Sequence, residues 1–340
     1  MRWTQACRSN PDDLQHAFRS AQSSPDQPLA SLAISCHHLP MTEPMPQPDI
    51  LAIGAVLWDT IGRSASQMRL GSDVPGRITR LPGGVALNIA ATLAKFRLRP
   101  ALLSAIGRDK DGDDLIEACK LRGLITTHVY RSDDLPTDRY MAIEGANGLV
   151  AAVADAHSLE AAGDKILRPL ADGSLGSAAA PWAGLVALDG NLTEALLSEI
   201  AHSPLFARAD LRIAPASPGK AERLRPLVTQ PRATLYLNLE EAGILCHQRF
   251  ADTTEAAVVL LRRGANRVLI TDGGRLAADG NAEGILHSQP PLVQVARITG
   301  AGDTFMAAHI AAERAGAGRK VALNLALQAA ADFVSGEIGS

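Results

Sequence analysis

Near the end of the 340-residue chain, the run Thr299-Gly300-Ala301-Gly302-Asp303-Thr304-Phe305 combines flexible main chain with a carboxylate and leads into an alanine-rich helical pattern. Glycines at 300 and 302 let main-chain amides approach an anion at a helix start, where unpaired N–H groups and the helix dipole favour phosphoryl charge. A carboxylate beside such a cradle repels phosphate unless it has a task, and accepting a proton from an alcohol is the obvious one. Asp303 is then a general base, and the amides of Gly300, Ala301 and Gly302 form an anion hole. Neither role needs a shifted pKa, because the ionised carboxylate is the working form. The plainer reading of Asp303 is a helix cap or a first-turn acid that complements the dipole.

Three further clusters bear polar groups next to element boundaries. Asn238-Leu239-Glu240-Glu241 places Asn238 and Glu241 at a strand end running into a helix, where they could orient waters around a magnesium ion held mainly by nucleotide phosphates. The same spacing is that of a capping box, with Asn238 as the cap and Glu241 at its third position. Thr271-Asp272-Gly273-Gly274 follows another strand and suits contact with a nucleotide phosphate, although a tight turn would also use its glycines. Leu81-Pro82-Gly83-Gly84 leads through Asn88 into a helix, giving close backbone access to a ligand and an amide able to donate to a polyol.

From residue 50 onward, short apolar runs alternate with alanine-rich periodic segments, which is the rhythm of a doubly wound α/β sheet covered by helices. Strands are expected over 50–56, 101–105, 185–188, 211–214, 234–238 and 267–271. Helices are expected over 84–96, 111–122, 192–202, 218–227, 240–246, 253–263 and 303–315. Residues 77–81 and 138–154 alternate instead like half-exposed strands, with a turn at 145–148, and read as a small β appendage over a cleft or against another subunit. Residues 171–180 read as a loop, and residues 1–48 as a polar tail, either disordered or the product of a translation start set too early.

Lys and Arg number 33 against 36 Asp and Glu, a net charge of -3, so bulk nucleic acid is an unsuitable partner. No uncharged apolar run reaches the roughly 18 residues of a membrane span. Cys7, Cys36, Cys119 and Cys246 are scattered without CxxC spacing, which suits a reducing cytoplasm. Neither a GxGxxG turn after the first strand nor a zinc-type histidine cluster is present.

The Pro82-Gly-Gly-x-x-x-Asn88 and Thr299-Gly-Ala-Gly-Asp303 blocks, far apart and in this order, resemble those of the pfkB, or ribokinase-like, carbohydrate and nucleoside kinases. The resemblance runs over about residues 49–335. It implies a three-layer α/β/α sandwich with a central, mostly parallel sheet and a small β-sheet lid contributed by about 60–81 and 130–157. It also implies MgATP as donor and a sugar or nucleoside alcohol as acceptor. On that pattern Asp303 is the base and Gly300–Gly302 the anion hole. Asn238 and Glu241 are linked to Mg2+ through water, and Thr271, Gly273, Gly274, Thr299 and Gly302 lie on the nucleotide. Asp59, at the end of the first strand, answers to the aspartate that binds acceptor hydroxyls, with Gly83, Gly84 and Asn88 as further contacts.

Within the family the stretches 75–78, 82–90, 137–143 and 150–155 most resemble pseudouridine kinases. That likeness implies phosphorylation at the 5′-hydroxyl of pseudouridine, with Thr137, Arg139 and Tyr140 as lid-side contacts, and a lid-mediated homodimer. Ribokinase-type, fructokinase-type and ordinary nucleoside kinases are the alternatives, as is a non-catalytic nucleoside sensor on the same fold. The chain departs from the pattern at Arg297, six places before Asp303, where many relatives have an acidic residue in a monovalent-cation loop. Potassium activation is therefore not assumed.

Overall fold

The computed structural model describes residues 47–336, apart from Leu70, Asn147 and Ile298. The expected tail lies outside the described residues except for positions 47 and 48.

Six short apolar runs build the parallel part of an eight-stranded sheet. They are β1 (Ile50–Ile53), β4 (Pro100–Leu103), β9 (Leu185–Asp189), β10 (Asp210–Ala214), β11 (Ala233–Asn238) and β12 (Arg267–Thr271). Every residue of β1 and β4 is buried, and only end residues of the others are partly exposed, as a sheet covered on both faces requires. β13 (Ala277–Asn281) and β14 (Gly284–Ser288) extend one edge antiparallel, completing the order β14-β13-β12-β11-β10-β9-β1-β4.

Alternation along the strands divides the core. Ile50, Ala187, Tyr236 and Leu269 meet α1 (Val85–Lys95), α7 (Ala301–Arg314) and α8 (Arg319–Ser335). Leu51, Val186, Leu188, Leu235 and Val268 face the opposite layer, which includes α3 (His157–Ala162), α4 (Glu194–His202), α5 (Leu239–Cys246) and α6 (Thr253–Arg262). α2 (Lys110–Leu121) packs near β4 through Leu115 and Cys119.

A second, four-stranded sheet has the order β3-β2-β7-β8, formed by β2 (Leu57–Arg63), β3 (Arg77–Gly83), β7 (Arg139–Gly145) and β8 (Gly148–Asp155). β5 (Ala105–Gly107) and β6 (Tyr130–Ser132) form a separate parallel pair, so residues 130–132 do not join the small sheet. The first strand stops at Ile53 because the chain turns at Gly54 and starts β2, which moves Asp59 out of the large sheet and into the small one. Residues 218–227 wind as a 3-10 segment rather than an α-helix, with Pro218 at its start and Pro226 near its end.

β1 has β4 on one side and β9 on the other, and successive strands depart from it in opposite directions. Such a reversal opens a crevice at the carboxyl ends of the strands, the usual ligand position in a doubly wound sheet.

Candidate active site

At that crevice the first turns of α1 and α7 meet. Asn88 Nδ2 donates to Asp303 Oδ2 at 2.9 Å, joining the two glycine-rich blocks across 215 residues of sequence. α7 is capped by Gly300 at φ 93°, without a side-chain hydrogen bond, so its first main-chain amides lack intrahelical acceptors. The Asp303 carboxyl is pushed up to about 7, chiefly by burial. The Asn88 bond opposes this rise, while the charges of Asp189, Asp59 and Glu241 add to it. The shift was not needed by the sequence reading, and it follows from crowding acids into one low-dielectric crevice.

Asp189 is the member that sequence reasoning missed. It is 0 % exposed at the end of β9. Its Oδ2 accepts from Ala55 N (2.9 Å) and Ala86 N (3.0 Å), and its Oδ1 from Asn191 N (2.8 Å). One side chain thus ties the end of β1 to the start of α1. The glycine pair before α1 is shaped by the same crowding. A Cβ on Gly84, at φ 96°, would lie 2.3 Å from the Ala55 carbonyl oxygen, and one on Gly83 would lie 1.9 Å from Asp59 Oδ2. These glycines admit the chain's own oxygens, which the expectation of close access to a ligand did not anticipate. Lys220 also went unnoticed. Its ammonium donates to Asn191 Oδ1 at 2.5 Å, and burial lowers its pKa.

Asp59 pairs in register with Leu81 on β3 and Tyr140 on β7, and burial raises its carboxyl to about 6. Tyr140 therefore shares the Asp59 face of the small sheet, and the nearby negative charge adds to burial in raising its phenol pKa. Arg139, one position earlier, points to the other face and pairs with Asp111 at 2.7 Å. Arg80 on that face also pairs with Asp111 and lies 4.1 Å over the Trp58 ring. Thr137 is buried and engaged elsewhere: its Oγ1 and N donate to Asp109 at 2.6 and 2.8 Å. Of the three expected acceptor contacts, only Tyr140 is brought beside Asp59.

Asn238 and Glu241 form the full capping box of α5, with Glu241 N donating to Asn238 Oδ1 and Asn238 N to Glu241 Oε2, each at 2.8 Å. Burial raises Glu241 to about 6. Asn238 is the register partner of Thr271, so the two strand ends are neighbours. Beyond Thr271 the chain turns through Gly273 (φ 54°) and Gly274, which have open space around them. Thr299 is exposed just before the Gly300 turn. Among the described residues, no three His, Cys, Asp or Glu side chains are grouped to hold a metal by themselves.

An α/β/α sandwich with an amide-rich helix start at its switch point suits the binding of a phosphorylated small molecule. Residues 47–337 match the model of the pfkB family carbohydrate kinases; the chain belongs to that family and is an ATP-dependent kinase acting on sugar or nucleoside-type substrates. It is 27% identical over 275 residues to the pseudouridine kinase of Escherichia coli (strain K12), covering 76% of this chain and 81% of that protein. Against the pseudouridine kinase of Arabidopsis thaliana it is 24% identical over 265 residues, 69% of this chain and 66% of the relative. The structure of Arabidopsis thaliana ribokinase complexed with ribose and ATP superposes with a TM-score of 0.71 at 19% identity, covering 87% of this chain and 94% of that one. That likeness establishes the ribokinase-like fold. No described helix is long and apolar enough to cross a membrane.

Proposed function

We propose that the protein transfers the γ-phosphoryl group of MgATP to the 5′-hydroxyl of pseudouridine, giving pseudouridine 5′-phosphate and ADP. The observation that carries the reaction is the Asn88–Asp303 contact at the bare N-terminus of α7. Asp303 takes the proton of the acceptor hydroxyl as its oxygen bonds to phosphorus and the bond from phosphorus to the ADP oxygen breaks. The amides of Gly300, Ala301 and Gly302 hold the charge on the transferring group, and Asn88 keeps the Asp303 carboxylate aimed. Asp59, with Tyr140 beside it, binds the acceptor hydroxyls, and the loop from Thr271 to Gly274, together with Thr299, takes the nucleotide.

Glu241 uses Oε2 in the α5 cap, and its free Oε1, beside Asn238, would help hold through water a magnesium ion brought by the nucleotide. Because no three acids among the described residues are grouped to hold a metal by themselves, such an ion would be held mainly by the nucleotide phosphates. When bound, that ion neutralises phosphate charge.

The small sheet acts as a lid in this reading, excluding water from the transfer. Its outer face, with Ile78, Met141 and Val153 exposed, suits a second copy of the chain. The choice of acceptor rests on the two pseudouridine kinases among the relatives. A coupled ADP-release screen of pseudouridine, uridine, adenosine, ribose and fructose, with Asp303→Asn as control, is expected to favour pseudouridine. A preference for ribose or fructose would reject the nucleoside reading, and ligand binding without ADP release would support a sensor.

Gly83→Ala tests the hydroxyl-binding role of Asp59. The added methyl displaces the tip of a flexible side chain, so the fold survives while the carboxylate moves. The acceptor KM is expected to rise about tenfold, the size of one weakened polar contact, with kcat within about threefold of wild type. An unchanged KM would remove Asp59 from the acceptor site.

A further inference from the structure

The turn that starts α7 is held from behind by the end of α8. A Cβ placed on Gly300 would lie 3.0 Å from Phe333 Cζ and 3.4 Å from its Cε1, so the ring tip already rests against the Gly300 main chain. The guanidinium of Arg297 lies over the same ring, with its central carbon 3.8 Å from the ring centroid. Arg297 Nε donates to the Phe333 carbonyl at 2.8 Å. The amides of Ala296 and Arg297 donate to the Val334 carbonyl at 2.9 and 3.2 Å, and Gly336 N donates to Phe333 O at 3.2 Å. A fixed positive charge therefore caps the carbonyl-rich, negative end of α8, while the ring beneath it abuts the positive, amide-rich start of α7.

We infer that Arg297 and Phe333 form a brace that positions the Gly300–Gly302 amides, and that this guanidinium makes a bound monovalent cation unnecessary for turnover. An acidic side chain at position 297 would offer oxygens to such an ion, whereas a guanidinium has five N–H donors and no acceptor. Its planar stack on Phe333 and its bond to the Phe333 carbonyl supply charge and rigidity together. Arg297 is thus a positioning residue, acting through the ring on the turn and not on substrate. The inference rests on the anion-hole reading of that turn, but its structural half can be measured without any acceptor.

The decisive experiment combines amide hydrogen exchange with kinetics on wild-type, Arg297→Ala, Arg297→Lys and Phe333→Leu proteins. In Arg297→Ala, exchange in a peptide spanning 299–303 should accelerate about tenfold with the rest of α7 unchanged, as expected for a local opening. The kcat should fall about tenfold with KM for the acceptor within about twofold, the signature of lost transition-state positioning. Arg297→Lys should recover only part of both, because the ammonium cannot stack as a plane. Arg297→Ala and Phe333→Leu should be non-additive when combined, as two parts of one contact. Wild-type turnover should differ by less than about twofold between potassium-free and potassium-rich buffer, since the guanidinium is present in both. Unchanged exchange at 299–303 in Arg297→Ala would overturn the brace, and a large potassium requirement in the wild type would overturn the substitution of guanidinium for cation. Faster exchange with unaltered kcat would leave the brace standing as a contact but reject its role in transfer.

Discussion

Asp303→Asn is expected to reduce kcat by about a hundred- to ten-thousand-fold, the range a positioned general base contributes, while the acceptor still binds. Asn retains the shape and the first-turn position, so the change removes the proton acceptor and little else. A plain helix-capping role predicts the opposite pattern, a small loss of stability with turnover intact. The pH profile separates the two further. Burial and the neighbouring acids favour the protonated form of Asp303, so its carboxyl is ionised only above about pH 7. In wild type, kcat/KM should therefore climb through that region and fall as the pH drops below it. Removing the Asn88 donor takes away a hydrogen bond that favours the charged form, so Asn88→Ala should move the limb to higher pH. Asp303→Asn should lose the limb altogether. Wild-type turnover by Asp303→Asn on the true acceptor would remove this residue from the chemistry.

The parts of this arrangement that could be read from sequence are those encoded locally. Runs such as Leu185–Asp189 and Arg267–Thr271 announce buried parallel strands, and Gly-Ala-Gly-Asp announces a helix start by its own composition. The capping box of α5 is likewise contained in four consecutive residues. Asp189 was invisible for the converse reason. Its amide partners at Ala55 and Ala86 are 134 and 103 residues away, and Asp189-Gly-Asn after a strand looks like any turn. β13, with the sequence Ala-Ala-Asp-Gly-Asn, has weak strand propensity and is fixed by pairing with β12 and by its neighbours. α8 carries alanine and leucine on more than one face, so its sequence does not mark which side packs, and the contact of Phe333 with Gly300 depends on residues far apart in the chain. The lid-side contacts show the same limit. Alternation places Arg139 and Tyr140 on opposite faces, but only the register with Asp59 decides which face meets the crevice.

The second large effect is expected at the other end of α7. Glu313 bridges Arg212 and Arg267, which in turn reach Asp210, Asp279 and the Tyr236–His309 pair. Burial alone would raise the Glu313 carboxyl, but His309 and the two guanidiniums outweigh it and bring the value down to about 2. Glu313→Gln leaves two buried arginines short of a countercharge, a change that costs about 3–5 kcal/mol when one partner of a buried pair is lost. For a chain of this size that is a fall in Tm of about 4–8 °C. The sign with pH follows from the direction of the shift. A carboxylate depressed in the folded state contributes stability above its unfolded pKa, and loses it as the pH falls from about 4.5 toward 2. His309, lowered to about 4 chiefly by burial, adds a loss that begins earlier, because the unfolded chain takes up a proton near 6.5 while the folded one does not. The raised carboxyls of Asp303, Asp59 and Glu241 work the other way between about pH 7 and 4, since the folded chain takes up their protons first. The net acid loss of the wild type should therefore steepen only below about pH 4.5, where the Glu313 contribution goes. Glu313→Gln should start from a lower stability at pH 7 and show a shallower decline between pH 4.5 and 2, since its bridging carboxylate is already gone. Denaturant melts across that range would measure both, and equal stabilities at pH 7 would show that the bridge contributes nothing. Because the same helix presents Asp303 ten residues earlier, loss of the bridge is also the change most able to disturb the crevice without touching it.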